Sequence, residues 1–339
     1  MTAAVSHPRI PFHVADGAPF LAADVGGTHV RVGLIKAGTG HGAPIELLSY
    51  RKYRCADYPS LAAILADFRL LAPDVRECVI ASAGYPLADG SVITANLPWP
   101  LSTAQIRDAL GFDAVHLVND FEAVAHAAAH VDASQVLQLT GPASAPRGPT
   151  LVLGPGTGLG AAVWIPVGER SVVLATEAGQ PALAATTELE MAVLRQMLQG
   201  RSHVSIEQAL SGPGLLNLYQ ALSVVRGQAA IHSTPDAISA AACDGSDPLA
   251  VETLQLFCGL LGSTVGDMAL FYGVQGGIYL AGGILPKISQ FLLHSTFVER
   301  FLNKGPMRKA LERIPVKLVE HGQLGVIGAA SWYLGGRGH

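Results

Sequence analysis

Charge is scarce in this chain: only 14% of its 339 residues are charged, and the net charge is −4. There is no run of Lys or Arg, which excludes nucleic acid as the main partner. Cysteines are equally few. Cys55, Cys78, Cys243 and Cys258 form no CxxC pair and show no zinc spacing. A disulfide scaffold and a zinc module are thereby excluded, and the usage fits a reducing cytoplasm. The opening residues, MTAAVSHPRIPFHVADG, lack the apolar core of a secretory leader. The longest apolar stretch, Leu254–Tyr272, is interrupted by Asp267 and three glycines. It reads as a buried core helix, and no membrane is expected as a partner. His126 and His130 stand four apart, but HAAAH lacks the glutamate of a zinc-protease helix, so the pair reads as a plain helix face.

What the chain has instead is apolar bulk, half of its residues, and 38 glycines. At this length and composition it has room for two domains with real cores. The stretch that organises it is Thr150–Ile165, TLVLGPGTGLGAAVWI. Two apolar runs, Leu151–Leu153 and Ala161–Ile165, flank a turn carrying Gly154, Gly156, Gly158 and Gly160. Such a turn, with Thr157 at its centre, aims several N–H donors and a hydroxyl at one anion, most naturally a phosphate. No Lys-Ser/Thr pair follows, so this is not a Walker A loop. Pro166 and Gly168 make the second arm a strand, whereas the dinucleotide fingerprint needs a helix there. Taken alone, a tight hairpin that simply wants glycine explains the stretch equally well.

Phe20–Ile35, FLAADVGGTHVRVGLI, repeats the theme with Gly26, Gly27 and Thr28. Two such hairpins, each opening an α/β region, predict two similarly built halves. Asp24 adds a carboxylate at the mouth of the first turn, suited either to Mg²⁺ beside phosphates or to bonding the turn's own N–H groups. Further along, Ile45–Arg54, Arg76–Ala83, Ser91–Ala95 and Ala114–Val118 read as strands, and Asp57–Leu71 as a helix with Leu61, Ile64, Leu65 and Phe68 on one face. Ser102 with Gln105, followed by Gly111, brackets another helix. The strand Ala114–Val118 runs into Asn119-Asp120 and an alanine-rich helix, where α/β folds bind ligands, although Asp120 equally suits a helix cap.

In the second half, Ser171–Ala175 is a strand, Thr187 and Glu190 cap a helix, and Ser205 with Gln208 predicts a short helix carrying Glu207. Ser211-Gly212-Pro213-Gly214 reads as a turn before a helix from about Leu215. Pro248–Tyr272 is the long helix. The strand Gly277–Ala281 ends in a third glycine turn, Gly282-Gly283, and Pro315–Val319 and Leu324–Leu334 close the chain as strand and helix.

Three glycine turns, each closing a buried strand, with acidic residues in two of the clefts, carry more weight than any one alone. DVGGT (Asp24–Thr28), LVNDFEAVA (Leu117–Ala125), GPGTGLG (Gly154–Gly160), SGPGLLNLY (Ser211–Tyr219), LAGGILPK (Leu280–Lys287) and IPVKL (Ile314–Leu318) together resemble the bacterial glucokinases of the actin-like sugar-kinase superfamily. The resemblance implies an α/β, two-domain actin-like (ribonuclease H-like) fold with an interdomain cleft. Its expected parts are an extension at 1–18, a small domain of 19–130 plus 320–339, and a large domain of 131–319. It implies ATP and Mg²⁺ as cofactors, glucose or a similar hexose as substrate, a cytoplasmic location and a homodimer.

Carried over by residue, Ala23, Asp24, Val25, Gly26, Gly27 and Thr28, with Gly156, Thr157 and Gly158, would hold the ATP phosphates. Asp24 would hold Mg²⁺, through water, and Gly282 and Gly283 would border the adenosine. Asn96, Asn119, Asp120, Glu177 and Glu207 match sugar-binding positions, and Asp120 matches the catalytic base. One departure stands out: the family usually reads Glu-Gly-Gly-His where this chain has Glu177-Ala178-Gly179-Gln180. Gln180 still donates and accepts, but its geometry differs and it cannot become charged. That leaves open a kinase for mannose, fructose or an amino sugar. A non-catalytic sugar sensor is the third possibility, disfavoured by the intact ATP motifs and the lack of an output module.

Overall fold

The structure, a computed structural model, describes residues 17–37, 45–87, 89–93, 97–128, 136–168, 170–319 and 323–336. The chain divides into two compact units, with the breaks at Ala123/Val124 and Leu324/Gly325.

The first unit is built on a five-stranded sheet. β1 (Phe20–Val25), β2 (His29–Ala37) and β3 (Ile45–Arg54) form an antiparallel meander. α1 (Leu61–Arg69) then leads to β4 (Glu77–Ser82), which pairs with β1 in parallel. β5 (Tyr85–Pro86), β6 (Ser91–Ile93) and β7 (Leu101–Ser102) make a separate small sheet. α2 (Thr103–Leu110) returns to β8 (Ala114–Val118), parallel to β4, and α3 (Asp120–Ala128) follows.

β1 is buried on both faces, as a central strand must be. Its alternating side chains serve two cores. Leu21, Ala23 and Val25 join Leu61, Ile64, Leu65 and Phe68, the α1 face anticipated from spacing. Phe20 and Ala22 point the other way, into a separate cluster. α1 begins later than the expected Asp57, because the Ser60 hydroxyl accepts from the Ala63 N–H and caps it there. α2 is capped as anticipated, by Ser102 on the Gln105 N–H and by Gly111 in the left-handed region at φ 62°.

The second unit carries a six-stranded sheet. It comprises β9 (Val136–Thr140), β10 (Thr150–Pro155), β11 (Leu159–Val167), β12 (Arg170–Thr176), and later β13 (Gly277–Leu280) and β14 (Val316–Val319). Between β12 and β13 lie α4 (Glu188–Met197), α5 (Gly212–Arg226), α6 (Pro235–Asp244) and α7 (Pro248–Phe271). Between β13 and β14 lie α8 (Ser289–His294), α9 (Phe297–Leu302) and α10 (Arg308–Leu311). α11 (Leu324–Gly336) follows β14.

The strand logic repeats: β10, β11 and β12 form an antiparallel meander, and β13 and β14 add in parallel beside β10, just as β4 and β8 do beside β1. The two sheets thus share one topology, as the repeated hairpin anticipates. β9 is an added antiparallel edge on β14.

α7 is the one helix among the described residues long and apolar enough to span a bilayer, and most of it is buried in the core of its unit. Its glycines have a packing reason. A Cβ on Gly262 would lie 2.2 Å from the Phe297 carbonyl oxygen, so glycine lets α9 lie directly against α7. α4 has the full anticipated capping box between Thr187 and Glu190, and the buried Glu190 also pairs with Arg300 of α9 at 2.7 Å.

Two local readings are corrected. Ser205–Gln208 is a bridged turn and not a helix: Ser205 pairs with Ala182, and its N–H donates to the Gln208 side chain. SGPG is not a turn before α5 but its first turn. Ser211 caps the Gly214 N–H at 2.9 Å, and Pro213 lies in the opening turn, where its missing N–H costs nothing.

Candidate active site

In the first unit, the described site residues gather at the carboxyl ends of the parallel strands β1 and β8, where open α/β sheets bind ligands. The turn after β1 is closed by the Gly26 N–H donating to the His29 carbonyl at 3.1 Å. Two bonds that sequence reasoning missed fasten it from β3's end: the Cys55 N–H donates to the Thr28 carbonyl at 3.0 Å, and the buried Cys55 thiol to the Gly26 carbonyl at 3.3 Å. The Thr28 side chain is exposed at the tip.

Asp24 faces Arg31 directly across the hairpin, and the guanidinium contacts Oδ2 at 3.0 Å. Burial pushes the Asp24 carboxyl above its ordinary 3.8, while the Arg31 charge and hydrogen bond pull it back down. Gly325, at the start of α11, backs this carboxylate. A Cβ there would lie 2.4 Å from Asp24 Cγ.

Among the described residues no cluster of His, Cys, Asp and Glu could cage a metal. Magnesium beside phosphates does not need one, since one or two carboxylates and retained waters suffice. Asp24, part-buried and with Arg31 on Oδ2 only, fits that requirement.

At the end of β8, Asn119 caps α3. Its Oδ1 accepts from the N–H groups of Phe121 at 3.0 Å and Glu122 at 3.1 Å. Asp120 is the first helical residue, and its own Oδ1 shares the Phe121 N–H at 2.9 Å. The same first turn is pinned by Trp332 of α11, whose indole N–H donates to Glu122 Oε1 at 3.1 Å. Burial pushes the Glu122 carboxyl up, partly offset by that indole bond. Asn96 and His130 lie outside the described residues.

In the second unit, the long glycine turn sits at the end of β10, with Gly282 and Gly283 after the parallel β13 and Glu177 after β12, all on the same side of the sheet. The Gly156 N–H closes the turn onto the Gly158 carbonyl at 2.7 Å. Gly154 is needed for close approach: a Cβ there would lie 2.4 Å from the Ala281 carbonyl oxygen. The first residue of α5, Gly212, donates its N–H to the Gly156 carbonyl at 2.8 Å, so the helix start buttresses the turn.

Glu207 reaches the same turn. Its Oε2 accepts from the Leu159 N–H at 2.8 Å, and its own N–H donates to the Gly179 carbonyl at 2.8 Å. Glu177 and Gln180 are exposed, on a tight turn closed by the Gln180 N–H on the Glu177 carbonyl at 3.0 Å. The second unit thus brings Gly156–Gly158, Glu177, Gln180, Glu207 and Gly282–Gly283 to one end of one sheet. The tie between Leu159 and Glu207 had no sequence signal. The pairing of Asp24 with Arg31 did, since a hairpin turning at Gly26–Thr28 sets those two opposite.

This arrangement of two like-built sheets, each with a glycine hairpin at its carboxyl ends, is that of the actin-like sugar kinases. The glucokinase family profile matches residues 21–335. A glucokinase-like protein of Xylella fastidiosa (strain 9a5c) is 60% identical over 315 residues, covering 93% of this chain and 94% of that protein. The crystal structure of a glucokinase from an Antarctic psychrotroph superposes with a TM-score of 0.80 at 36% identity, over 93% of this chain and 98% of that one. A more distant fold relative is a ROK-family glucokinase from Streptomyces griseus, solved with glucose and AMPPNP. It has a TM-score of 0.62 at 20% identity, over 93% of this chain and 99% of that one. The chain belongs to the glucokinase family.

Proposed function

We propose that the protein transfers the γ-phosphoryl group of ATP to the 6-hydroxyl of glucose, releasing ADP and glucose 6-phosphate. The observation that carries this reading is the pair of topologically equivalent glycine hairpins at Asp24–Thr28 and Gly154–Gly160. Phosphoryl transfer asks mainly for alignment and charge neutralisation. The N–H groups and threonine hydroxyls of Gly26–Thr28 and Gly156–Gly158 supply donors to the phosphates, and Gly282 and Gly283 border the adenosine. Magnesium, when bound, neutralises charge on the phosphoryl oxygens, and Asp24 holds it through water.

Asp120 takes the proton of the attacking hydroxyl. Its place at the carboxyl end of β8, directly after Asn119, supports this role, and there its Oδ1 shares the Phe121 N–H at 2.9 Å. Asn119 retains its amide N–H₂ for a sugar hydroxyl, and Asn96, Glu177, Gln180 and Glu207 complete the sugar contacts. A homodimer and a cytoplasmic location belong to the same reading, the first checked by light scattering of the purified protein.

A second reading, a kinase for another hexose, is favoured by Gln180 in place of the family's histidine. A site that hydrogen-bonds hydroxyls discriminates sharply, so a changed donor shifts preference among epimers. The test is a coupled ADP-release assay with glucose, mannose, fructose and N-acetylglucosamine, each with and without ATP. Glucose is expected to give the highest kcat/KM. Turnover with no sugar in the panel would overturn the kinase reading.

A further inference from the structure

Glu207 touches more than a sugar ligand needs to. Its carboxylate lies against Gly158 with Oε2 foremost, so close that a Cβ on that glycine would sit 2.3 Å from Oε2 and 3.0 Å from Cδ. Oε2 holds the Leu159 N–H, the residue directly after the Gly156-Thr157-Gly158 turn. The Glu207 backbone is fixed on both sides. Its N–H binds the Gly179 carbonyl, inside the Glu177–Gln180 segment, and its carbonyl accepts from the Ser211 hydroxyl at 2.7 Å, the cap of α5. α5 in turn supports the phosphate turn through the Gly212 N–H on the Gly156 carbonyl. No described residue bonds to Oε1, so one oxygen of the carboxylate is committed to the turn and the other is available to a ligand.

We infer that Glu207 is a positioning residue for the phosphate turn as well as a sugar ligand, and that through it sugar and nucleotide binding are coupled. This rests on the kinase reading above. A hydroxyl bound at Oε1 holds the carboxylate in the one orientation in which Oε2 holds the Leu159 N–H. Sugar binding therefore favours the turn geometry that receives phosphate. By linkage, nucleotide on the turn favours the carboxylate orientation that receives sugar, by the same factor. The Gly158 position is part of the device, because any side chain there would displace the carboxylate.

The test is calorimetric binding of a non-hydrolysable ATP analogue, with and without saturating glucose, to the wild type, Glu207→Gln and Glu207→Ala. The sugar-free measurement decides the matter, because a residue that only binds sugar does not move it. Glu207→Ala is expected to weaken sugar-free nucleotide binding by about tenfold, the loss of one charge-assisted bond to a buried N–H. Glu207→Gln, which keeps an acceptor and the fold, is expected to fall between. In the wild type glucose is expected to tighten nucleotide binding, and in Glu207→Gln that enhancement is expected to disappear. Unchanged sugar-free affinity in both variants, or an enhancement that survives in Glu207→Gln, would overturn the inference. The kinase reading fails separately, on the wild type alone, if no sugar supports turnover.

Discussion

Asn119 caps the helix that Asp120 begins: its Oδ1 takes the Phe121 and Glu122 N–H groups at 3.0 and 3.1 Å. Asp120 Oδ1 shares the Phe121 N–H at 2.9 Å, yet an asparagine at that position keeps an acceptor, so substitution still tells cap from base. Asn119→Ala should cost about 1 kcal/mol of stability through the lost cap, read as a lower denaturant midpoint. Asp120→Asn should leave the midpoint nearly unchanged and lower kcat by about 10²–10⁴-fold, the usual contribution of a general base. Near wild-type kcat in Asp120→Asn would remove that residue from the chemistry.

Two glycines of the long turn should respond in opposite ways. A Cβ at Gly156 meets nothing within 4 Å, whereas one at Gly154 lies 2.4 Å from a backbone oxygen. Gly156→Val should therefore fold normally yet raise KM for ATP, because the side chain fills the space assigned to phosphate. Gly154→Ala should lose about 1–3 kcal/mol of stability by overpacking. Thermal melts and ATP titrations of the two proteins distinguish these effects. Unchanged ATP affinity in Gly156→Val would make the turn purely structural.

Arg31 should set the acid limb of the pH profile. Burial raises the Asp24 carboxyl pKa and Arg31 lowers it, so removing the guanidinium leaves burial unopposed. In Arg31→Met, Asp24 then protonates at a higher pH. Activity that needs the ionised form is lost sooner as pH falls, moving the acid limb of kcat/KM for ATP upward. A limb that stays in place would show that Asp24 does not titrate in this step.

Gln180, exposed on its tight turn, should make one neutral hydrogen bond to sugar. Gln180→Ala is expected to weaken glucose binding by about 0.5–1.5 kcal/mol, with ATP affinity unchanged. Gln180→His should restore or strengthen it. Glucose and mannose titrations check both. If the alanine variant binds every sugar as the wild type does, the side chain takes no part in recognition.

Thiol chemistry checks the packing. Burial pushes the Cys78 and Cys258 thiols up to about 12, Cys55 is buried, and Cys243 is exposed. At neutral pH a disulfide reagent should modify Cys243 alone in the folded protein and all four cysteines in denaturant. Rapid labelling of a second thiol before unfolding would contradict the described cores.

The central strands β1 and β10 were legible because strands buried on both faces read as continuous apolar runs. Helix caps made within a few residues, at Ser102 and Thr187, were legible too. The start of α5 was not. Pro213 and three residues of glycine and serine around it look like a breaker, yet they form a helix start that leans on Gly156, far away in sequence. Ser205 and Gln208 gave a capping signature without a helix, because Ser205 is already bridged to Ala182. At the candidate site, the residue types were readable from motifs. The supports were not: the Cys55 thiol on Gly26 and the Glu207 carboxylate on Leu159 exist only once distant segments meet.

α11 returns to the unit in which β1 lies. Val326, Ala329, Ala330 and Tyr333 complete the cluster around Phe20 and Ala22, and Trp332 reaches Glu122 across 210 residues of chain. On a ribosome, the first unit's sheet is made early but waits, with one face uncovered, until the whole second unit has been translated. Asp24 and the start of α3 acquire their backing only then. A premature stop just before α11 would leave every proposed site residue in the polypeptide and still yield a nascent chain with an exposed apolar sheet, a substrate for chaperones and proteases.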